Sequence, residues 1–427
     1  MAEIELFEYQ THSEVIDLRK LNLENFCTVF SNGENYLKAK QFVGVAQFGD
    51  TRICVYPKLY NSESDKKSHS LKNFLYMMQY AYKIHNIKDY STSAEHQNFD
   101  FLEVLIFIYA KNLMDLLKVN LNRSYIVVED DSNFLKGSWR LGEQLGRMPH
   151  IRHRFLVSYD EFTENNPLNR ILKFVTFMLL RISRNSRSQT LLQNILLVYA
   201  EVDDISKPGH TYLEQVKFSR INQEFKSIFE FAKMFLLKLV GDYSKTKNTN
   251  FSFMFDMNIL FEQFIAGFIR RENLLSGTKY NNFEMKDQKS SGKYISEKPN
   301  AFMLKPDISF WENGNCKLII DTKYKLLDDT DDKKYGVSQS DAYQMYAYAM
   351  KYDCERVILL YPQHLEGKTA ENDFGLGSGK TLEIRTVDIC RDLKEDSMKP
   401  NEENSFRNEL KNILNNKIGV EDGISSI

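Results

Sequence analysis

The stretch NAFMLKPDISFWENGNCKLIIDTKYK, residues 300–325, decides how this chain is read. At its centre Asn313-Gly314 is the strongest short hairpin signal, because both positions of a tight primed turn need positive φ. The runs on either side are strand-like, and Leu318-Ile319-Ile320 has the look of a buried strand. Yet that strand carries Asp321 and Lys323 out of the core, and its partner is preceded by Pro306-Asp307. Buried charge is costly unless it is paired or bound to something. With the turn centred near Gly314, Asp307 lies opposite Asp321, and such neighbours sit about 4.5–5.5 Å apart at Cβ. Like charges directly opposite destabilise a sheet. A divalent cation between them removes the objection, and Mg²⁺, which takes one or two carboxylates and keeps several waters, suits the place. Side chains alternate along a strand, so Asp321 and Lys323 share a face and Thr322 takes the other. Lys323 then stands beside the proposed metal, where it could orient an attacking water, deprotonate it as the neutral amine, or stabilise charge on a phosphate. A plain salt bridge between Asp321 and Lys323 is the alternative.

Outward from the hairpin, two helices complete the constellation. Upstream, MNILFEQFIAGFIRR (257–271) has an apolar stripe of Met257, Leu260, Phe261, Phe264, Ile265, Phe268 and Ile269. Glu262 sits at the edge of that stripe, either as a third acid of the site or as a solvated rim residue. Downstream, SQSDAYQMYAYAMKY (338–352) is an aromatic-rich helix whose rings mostly serve packing. Gln344 and Tyr348 lie one turn apart on one face and are placed to hold Lys323 or a DNA phosphate. The candidate set is Glu262, Asp307, Asp321, Lys323 and Gln344, with Glu262, Asp307 and Asp321 as metal ligands.

The whole chain has 427 residues, which is too many for one core and suggests two or three domains. Hydrophobic residues are 42% and charged residues 27%, as in ordinary globular proteins. Five scattered cysteines show no CxxC spacing, so neither a zinc site nor a disulfide framework is expected and a reducing cytoplasm fits. The start, MAEIELFEYQ, is acidic without an apolar h-region, and no apolar run reaches the length of a membrane span. A net charge of −2 argues against a protein that grips nucleic acid alone, since phosphate binding is mostly charge neutralisation.

Local patterns predict a multidomain α+β chain. Residues 1–140 read as a β-rich and helical region, with QFVGVAQF (41–48) and TRICVYP (51–57) forming a hairpin about Gly49-Asp50 and helices within 71–118. Residues 141–250 read as helical, with a helix start at Asn166-Pro167 and a polar linker over 241–250. Residues 251–395 read as an α/β domain in the order helix, strand, strand, helix, strand, strand. Residues 396–427 form a polar tail whose helix-like piece FRNELKNILNN is expected to be peripheral. FGLGSGKT (374–381) imitates a phosphate loop, but Phe374 stands where glycine is required and a strand-like run follows, so it reads as a connection between strands. The basic stretches 146–155 and 181–188 could meet DNA or a partner, though solvated surface is the commoner role.

The arrangement resembles the PD-(D/E)XK nuclease superfamily, matched by Pro306-Asp307, Asp321-Thr322-Lys323 and the upstream Glu262. More closely it is similar to McrC, the nuclease subunit of McrBC-type modification-dependent restriction systems. That resemblance rests on LFEQF (260–264), LKPDISF (304–310), IIDTKYK (319–325) and DAYQMYAYA (341–349), and upstream on FVGVAQFGDTRICVYPKL (42–59), LKGSWRL (135–141) and YDEFTENNPLNRILK (159–173). It implies a Mg²⁺-dependent DNA endonuclease with a C-terminal PD-(D/E)XK domain. The partners implied are a hexameric McrB-like AAA+ GTPase, contacted by the N-terminal region, and modified double-stranded DNA. Two other readings compete: a non-catalytic regulator of an AAA+ GTPase on a nuclease scaffold, and a stand-alone DNA-repair nuclease. A scaffold gains nothing from clustered carboxylates, and the upstream resemblance argues against the stand-alone enzyme.

Overall fold

Two runs of alternating apolar residues, Phe42–Phe48 and Thr51–Tyr56, pair antiparallel about Gly49. Asp50 of that turn lies outside the described residues. Ala2–Phe7 joins parallel to Thr51–Tyr56, setting Ile4 against Ile53 and Leu6 against Val55. The other neighbour of Phe42–Phe48 comes from far along the chain: it is the antiparallel strand Phe251–Asp256. Gly44 faces Met254 there with φ +141°, and a Cβ on it would lie 2.0 Å from the Phe253 carbonyl oxygen. Only glycine allows the two backbones that close.

The computed structural model describes residues 2–12, 27–31, 35–49, 51–60, 66–84, 100–148, 150, 153–241, 251–287, 293–325, 327, 334, 336–363, 371–399 and 402–415. It is a multidomain α+β protein. Contacts divide the chain into two units, Met1–His85 with Asn250–Ile427, and Asn86–Thr249. Division by local pattern at 140, 250 and 395 therefore differs from the division in space. The reason is the pairing of residues 42–48 with 251–256, which ties the N-terminal strands to the C-terminal region.

In the first unit a six-stranded sheet runs in the order Glu284–Asp287, Ile308–Glu312, Asn315–Thr322, Arg356–Gln363, Lys380–Asp388, Asn372–Gly377. The central three strands are parallel and the outer pairings antiparallel. Their near-continuous apolar runs are what a sheet covered on both faces requires. The helix Gln339–Tyr352 packs Met345, Tyr348, Ala349 and Tyr352 into one core with Ile319, Val357, Leu359 and Ile384. The helix Met257–Arg271 buries Phe261, Phe264, Ile265 and Phe268, and packs beside Lys66–Ala81. At that crossing a Cβ on Gly267 would sit 2.7 Å from the Tyr80 carbonyl oxygen. The run after FGLGSGKT is a strand, Lys380–Asp388, as its alternation predicts, but residues 374–377 are no mere connection: they belong to the antiparallel strand Asn372–Gly377.

The helix Phe406–Asn415 is not peripheral. Phe406, Leu410 and Leu414 are buried, and Phe406 stacks on Phe264 at 5.4 Å. Its last carbonyls, Ile413 and Leu414, accept hydrogen bonds from the buried Arg356 guanidinium at 2.6 and 2.7 Å. A cation at a helix C-terminus satisfies carbonyls that the helix itself leaves open. Arg356 also donates to Glu383 Oε2 at 2.7 Å.

In the second unit the helices Phe101–Val119, Pro167–Ile182, Ser186–Val198 and Lys226–Lys238 enclose Tyr109, Leu172, Phe231 and Phe235. Asn166 caps the helix that Pro167 opens, accepting from Asn169 N–H at 3.1 Å, as the Asn-Pro pair predicts. A three-stranded sheet, Ser124–Ser132, Phe155–Thr163, Ser138–Trp139, belongs to the same unit. Arg147 is engaged there by Asp131 at 2.7 and 3.1 Å, the ordinary role for a surface cation. The linker beyond Gly241 lies outside the described residues. Among the described residues no helix is long and apolar enough to cross a membrane.

Candidate active site

The hairpin at 308–322 turns on Asn313 and Gly314, with φ of 48° and 81°, as the sequence demands. Near the turn Glu312 pairs with Asn315 and Trp311 with Cys316, but Phe310 pairs with Leu318. Lys317 is thus an extra residue, a β-bulge. The bulge is decisive. Continued from the turn, the register would oppose Asp307 to Ile320; after the bulge Ile308 opposes Ile320, so the next position sets Asp307 against Asp321.

The two carboxylates then separate by partner. Asp307 Oδ2 accepts from Thr322 N–H at 2.8 Å and from Thr322 Oγ1 at 2.9 Å. Asp321, 1% exposed, meets Lys323 Nζ at 2.5 Å through Oδ2. Lys323 is the partner of this buried oxygen. Burial, and then the charge of Asp307, push the Asp321 carboxyl up to about 7 against the opposing pull of Lys323. Burial alone would lower the Lys323 ammonium, but the Asp321 carboxylate outweighs it and the group is raised. Gln344 Oε1 accepts from Lys323 Nζ at 3.1 Å, and Gln344 Nε2 donates to Tyr348 Oη at 2.8 Å. Tyr348 and Tyr352 donate to the carbonyls of Lys305 and Leu304 at 3.1 and 2.9 Å, fixing the segment that leads into Pro306-Asp307.

Asp307 also lines a cleft of about 440 Å³ with Glu262, Gln263, Arg270, Arg271, Tyr80 and Lys83. The structure therefore joins Asp321, Lys323 and Gln344 by direct contact, and Asp307 with Glu262 along one cleft. Glu262, Asp307 and Asp321 do not bring a carboxylate oxygen each to within 4.8 Å of one another. The donor set fits a hard cation, because Asp307 and Asp321 offer carboxylate oxygens only and the charge of Asp307 already bears on the buried Asp321. Two carboxylates with retained waters suffice for Mg²⁺.

Sequence reasoning missed Thr322, because alternation sends its side chain to the far face. Its hydroxyl and amide nonetheless hold the Asp307 carboxylate. It also missed Tyr324, whose hydroxyl donates to Glu8 at 2.9 Å. Glu8 stands 316 positions away, and no local signal could have found it.

Comparison with known proteins places the chain in a family. The family model described as McrBC 5-methylcytosine restriction system component matches residues 37–362, more than half of the chain. No curated protein matches. Among solved structures, the refined half-complex from a tetradecameric assembly of Thermococcus gammatolerans McrB AAA+ hexamers with bound McrC is similar, with TM-score 0.63 and 20% identity over 97% of this chain and 100% of that chain. A cryo-EM structure of the Thermococcus gammatolerans McrBC complex matches with TM-score 0.46 and 25% identity over 64% of this chain and 88% of that one. The first of these likenesses is one of fold, and the family assignment rests on the long family-model match. The chain belongs to the McrBC 5-methylcytosine restriction system component family.

Proposed function

We propose that the chain is the McrC-type subunit of such a system, a Mg²⁺-dependent DNA endonuclease that cuts modified double-stranded DNA together with a McrB-like AAA+ GTPase. The observation that carries this reading is Asp321: a buried carboxylate, raised to about 7, next to Lys323 and across the hairpin from Asp307. Perturbed acids beside a cleft are where chemistry concentrates. A bound Mg²⁺ would supply charge stabilisation at the phosphate and acidify a coordinated water. Asp321 and Asp307 would hold it, with Glu262 facing the same cleft. Thr322 keeps the Asp307 carboxylate aimed. Lys323, held by Gln344, presents its ammonium to the charge that develops on the phosphate.

The partner follows from a second feature. The solved relative is a complex in which McrC is bound to McrB AAA+ hexamers. In this chain the small sheet of the second unit exposes Tyr125 (72%), Val127 (67%) and Phe162 (56%), with the two rings 5.0 Å apart. Apolar side chains on a free sheet face mark an interaction surface. A GTPase that recognises the modification also explains why the chain itself carries a net charge of only −2. The test is cleavage of methylated against unmethylated DNA by the purified chain with its GTPase, GTP and Mg²⁺. Metal-dependent cutting is the expected result; GTPase stimulation without any cutting would leave only the regulator.

A further inference from the structure

Thr322 is the last residue of its strand, and Lys323 lies just beyond it. The backbone of the sheet reaches Lys323 through its amide, which donates to the Leu360 carbonyl at 2.9 Å. What fixes the chain at this point is the next residue. Tyr324 is 2% exposed, and its ring packs 5.9 Å from that of Phe261, the residue preceding Glu262. Its hydroxyl donates to Glu8 Oε2 at 2.9 Å. The same oxygen accepts from Lys58 N–H at 3.0 Å, and the Glu8 amide donates to the Tyr56 carbonyl at 3.0 Å. Glu8 is fully buried, and its Oε1 makes no hydrogen bond.

A buried carboxylate is an expensive way to hold a tyrosine, since it forfeits hydration unless paired and hydrogen-bonded. What it offers in its ionised form is a charge-assisted bond, roughly twice as strong as a neutral one. Three pieces of the first unit meet on one side chain: the strand end with Asp321 and Lys323, the helix with Glu262, and the N-terminal sheet through Glu8. A side chain pinned at ring and hydroxyl can neither swing nor slide, so the backbone beside Lys323 is held against the helix that bears Glu262.

We propose that Tyr324 and Glu8 are positioning residues for the metal and phosphate site, Tyr324 bracing the Asp321–Lys323 strand end against the Glu262 helix and Glu8 anchoring its hydroxyl. This rests on the nuclease reading given above. Outer supports of metal sites typically cost about 10- to 100-fold in metal affinity or activity when removed.

The test uses the full chain and the variants Y324F, E8A, E8Q, E8A/Y324F and D321A. Mn²⁺ binding to the chain alone is titrated by electron paramagnetic resonance. Single-turnover cleavage, with the GTPase partner, GTP and Mg²⁺, and the melting temperature are measured alongside. Y324F and E8A are expected to lose about 10- to 100-fold in Mn²⁺ affinity or in cleavage rate at saturating DNA, with the DNA concentration for half-maximal rate unchanged. E8Q keeps an oxygen for the tyrosine and should restore most of the loss. The double variant should be no worse than the worse single, because both changes break one bond. Y324F and E8A that melt earlier yet bind Mn²⁺ and cut like wild type would make the pair structural only and overturn the proposal. Additive losses in the double variant would overturn it too. D321A separates the two ideas: a D321A chain that binds Mn²⁺ and cuts normally overturns the site itself, whereas a dead D321A beside a wild-type-like Y324F overturns only the bracing.

Discussion

The two sheets that matter most invert the usual rule in opposite ways. At the end of the six-stranded sheet, polar charge is buried: Asp321 is 1% exposed and Glu383 2%. On the three-stranded sheet, apolar surface is exposed: Tyr125 and Val127 stand more than half free. Neither arrangement is good for stability, since buried charge costs desolvation and exposed aromatics cost hydration. Function is the economical explanation where a fold departs from its own best packing. The comparison teaches that the kind of departure names the kind of function. On the reading proposed above, Asp321 serves chemistry and the exposed rings a partner, whereas Glu383 is paired with Arg356.

The strongest way to break this contrast is Asp321→Ala. It should abolish Mg²⁺-dependent cleavage while leaving capture of the GTPase intact, as read by a cleavage assay and a pull-down on the same preparation. Cleavage at the wild-type rate would end the assignment.

Glu383 is a buried charge of another kind, and Glu383→Ala sharpens the distinction. It leaves the Arg356 guanidinium buried with its carboxylate partner gone. Removing one member of a buried pair costs about 3–5 kcal/mol. Urea unfolding should show that loss, while Mn²⁺ binding per folded molecule stays unchanged.

Lys323→Ala should act on rate and not on metal. An ammonium cannot ligate a cation, so metal affinity measured by calorimetry should be equal or tighter. Cleavage should fall about 10²–10³-fold, the usual cost of one preorganised charge-stabilising group. Normal turnover with a lowered melting temperature would reduce Lys323 to a salt-bridge partner.

Glu8 gives the contrast a pH axis. Burial pushes its carboxyl from 4.5 to about 7, partly offset by the Lys58 amide and the Tyr324 hydroxyl. The folded state therefore prefers the protonated form. That preference contributes stability that is complete below about pH 4.5 and is lost as pH rises through about 7. A rise from 4.5 to about 7 corresponds to about 3 kcal/mol. Glu8→Gln mimics the protonated acid, so its stability relative to wild type should climb between pH 5 and pH 8. A gap between the two that is the same at both pH values would contradict the assignment.

On the other sheet, Tyr125→Ser with Phe162→Ser should weaken GTPase binding by about 2 kcal/mol, the size of one interfacial hot spot. Mn²⁺ binding and thermal stability should stay near wild type, because those rings pack against little but each other. Unchanged binding in a titration would move the partner surface elsewhere.

What the sequence disclosed was local. Asn313-Gly314 announced its hairpin, Asn166-Pro167 its helix, and the paired acids of the hairpin strands their opposition. The bulge at Lys317 was silent, although the opposition of Asp307 and Asp321 depends on it. The pairing of Phe42–Phe48 with Phe251–Asp256 was equally silent, because strands two hundred residues apart leave no periodic trace of each other. The burial of Phe406–Asn415 was hidden because its anchor is Arg356, a side chain on a distant strand. Thr322 was passed over because alternation describes where a Cβ points, not what a neighbouring carboxylate reaches.

The bulge at Lys317 also divides the hairpin into two zones of very different tolerance. Between the bulge and Asp321 every residue counts, since losing one while the bulge is kept would set Asp307 against Thr322 instead of Asp321. Beyond the bulge, toward Asn313-Gly314, the register no longer bears on the acids. The tip is therefore where a loop of another length, a tag or a fluorophore-bearing insert can be accepted without disturbing the chemistry. Lys317 itself is the exception, since deleting it removes the bulge and leaves Phe310 facing Leu318 and the acids in register.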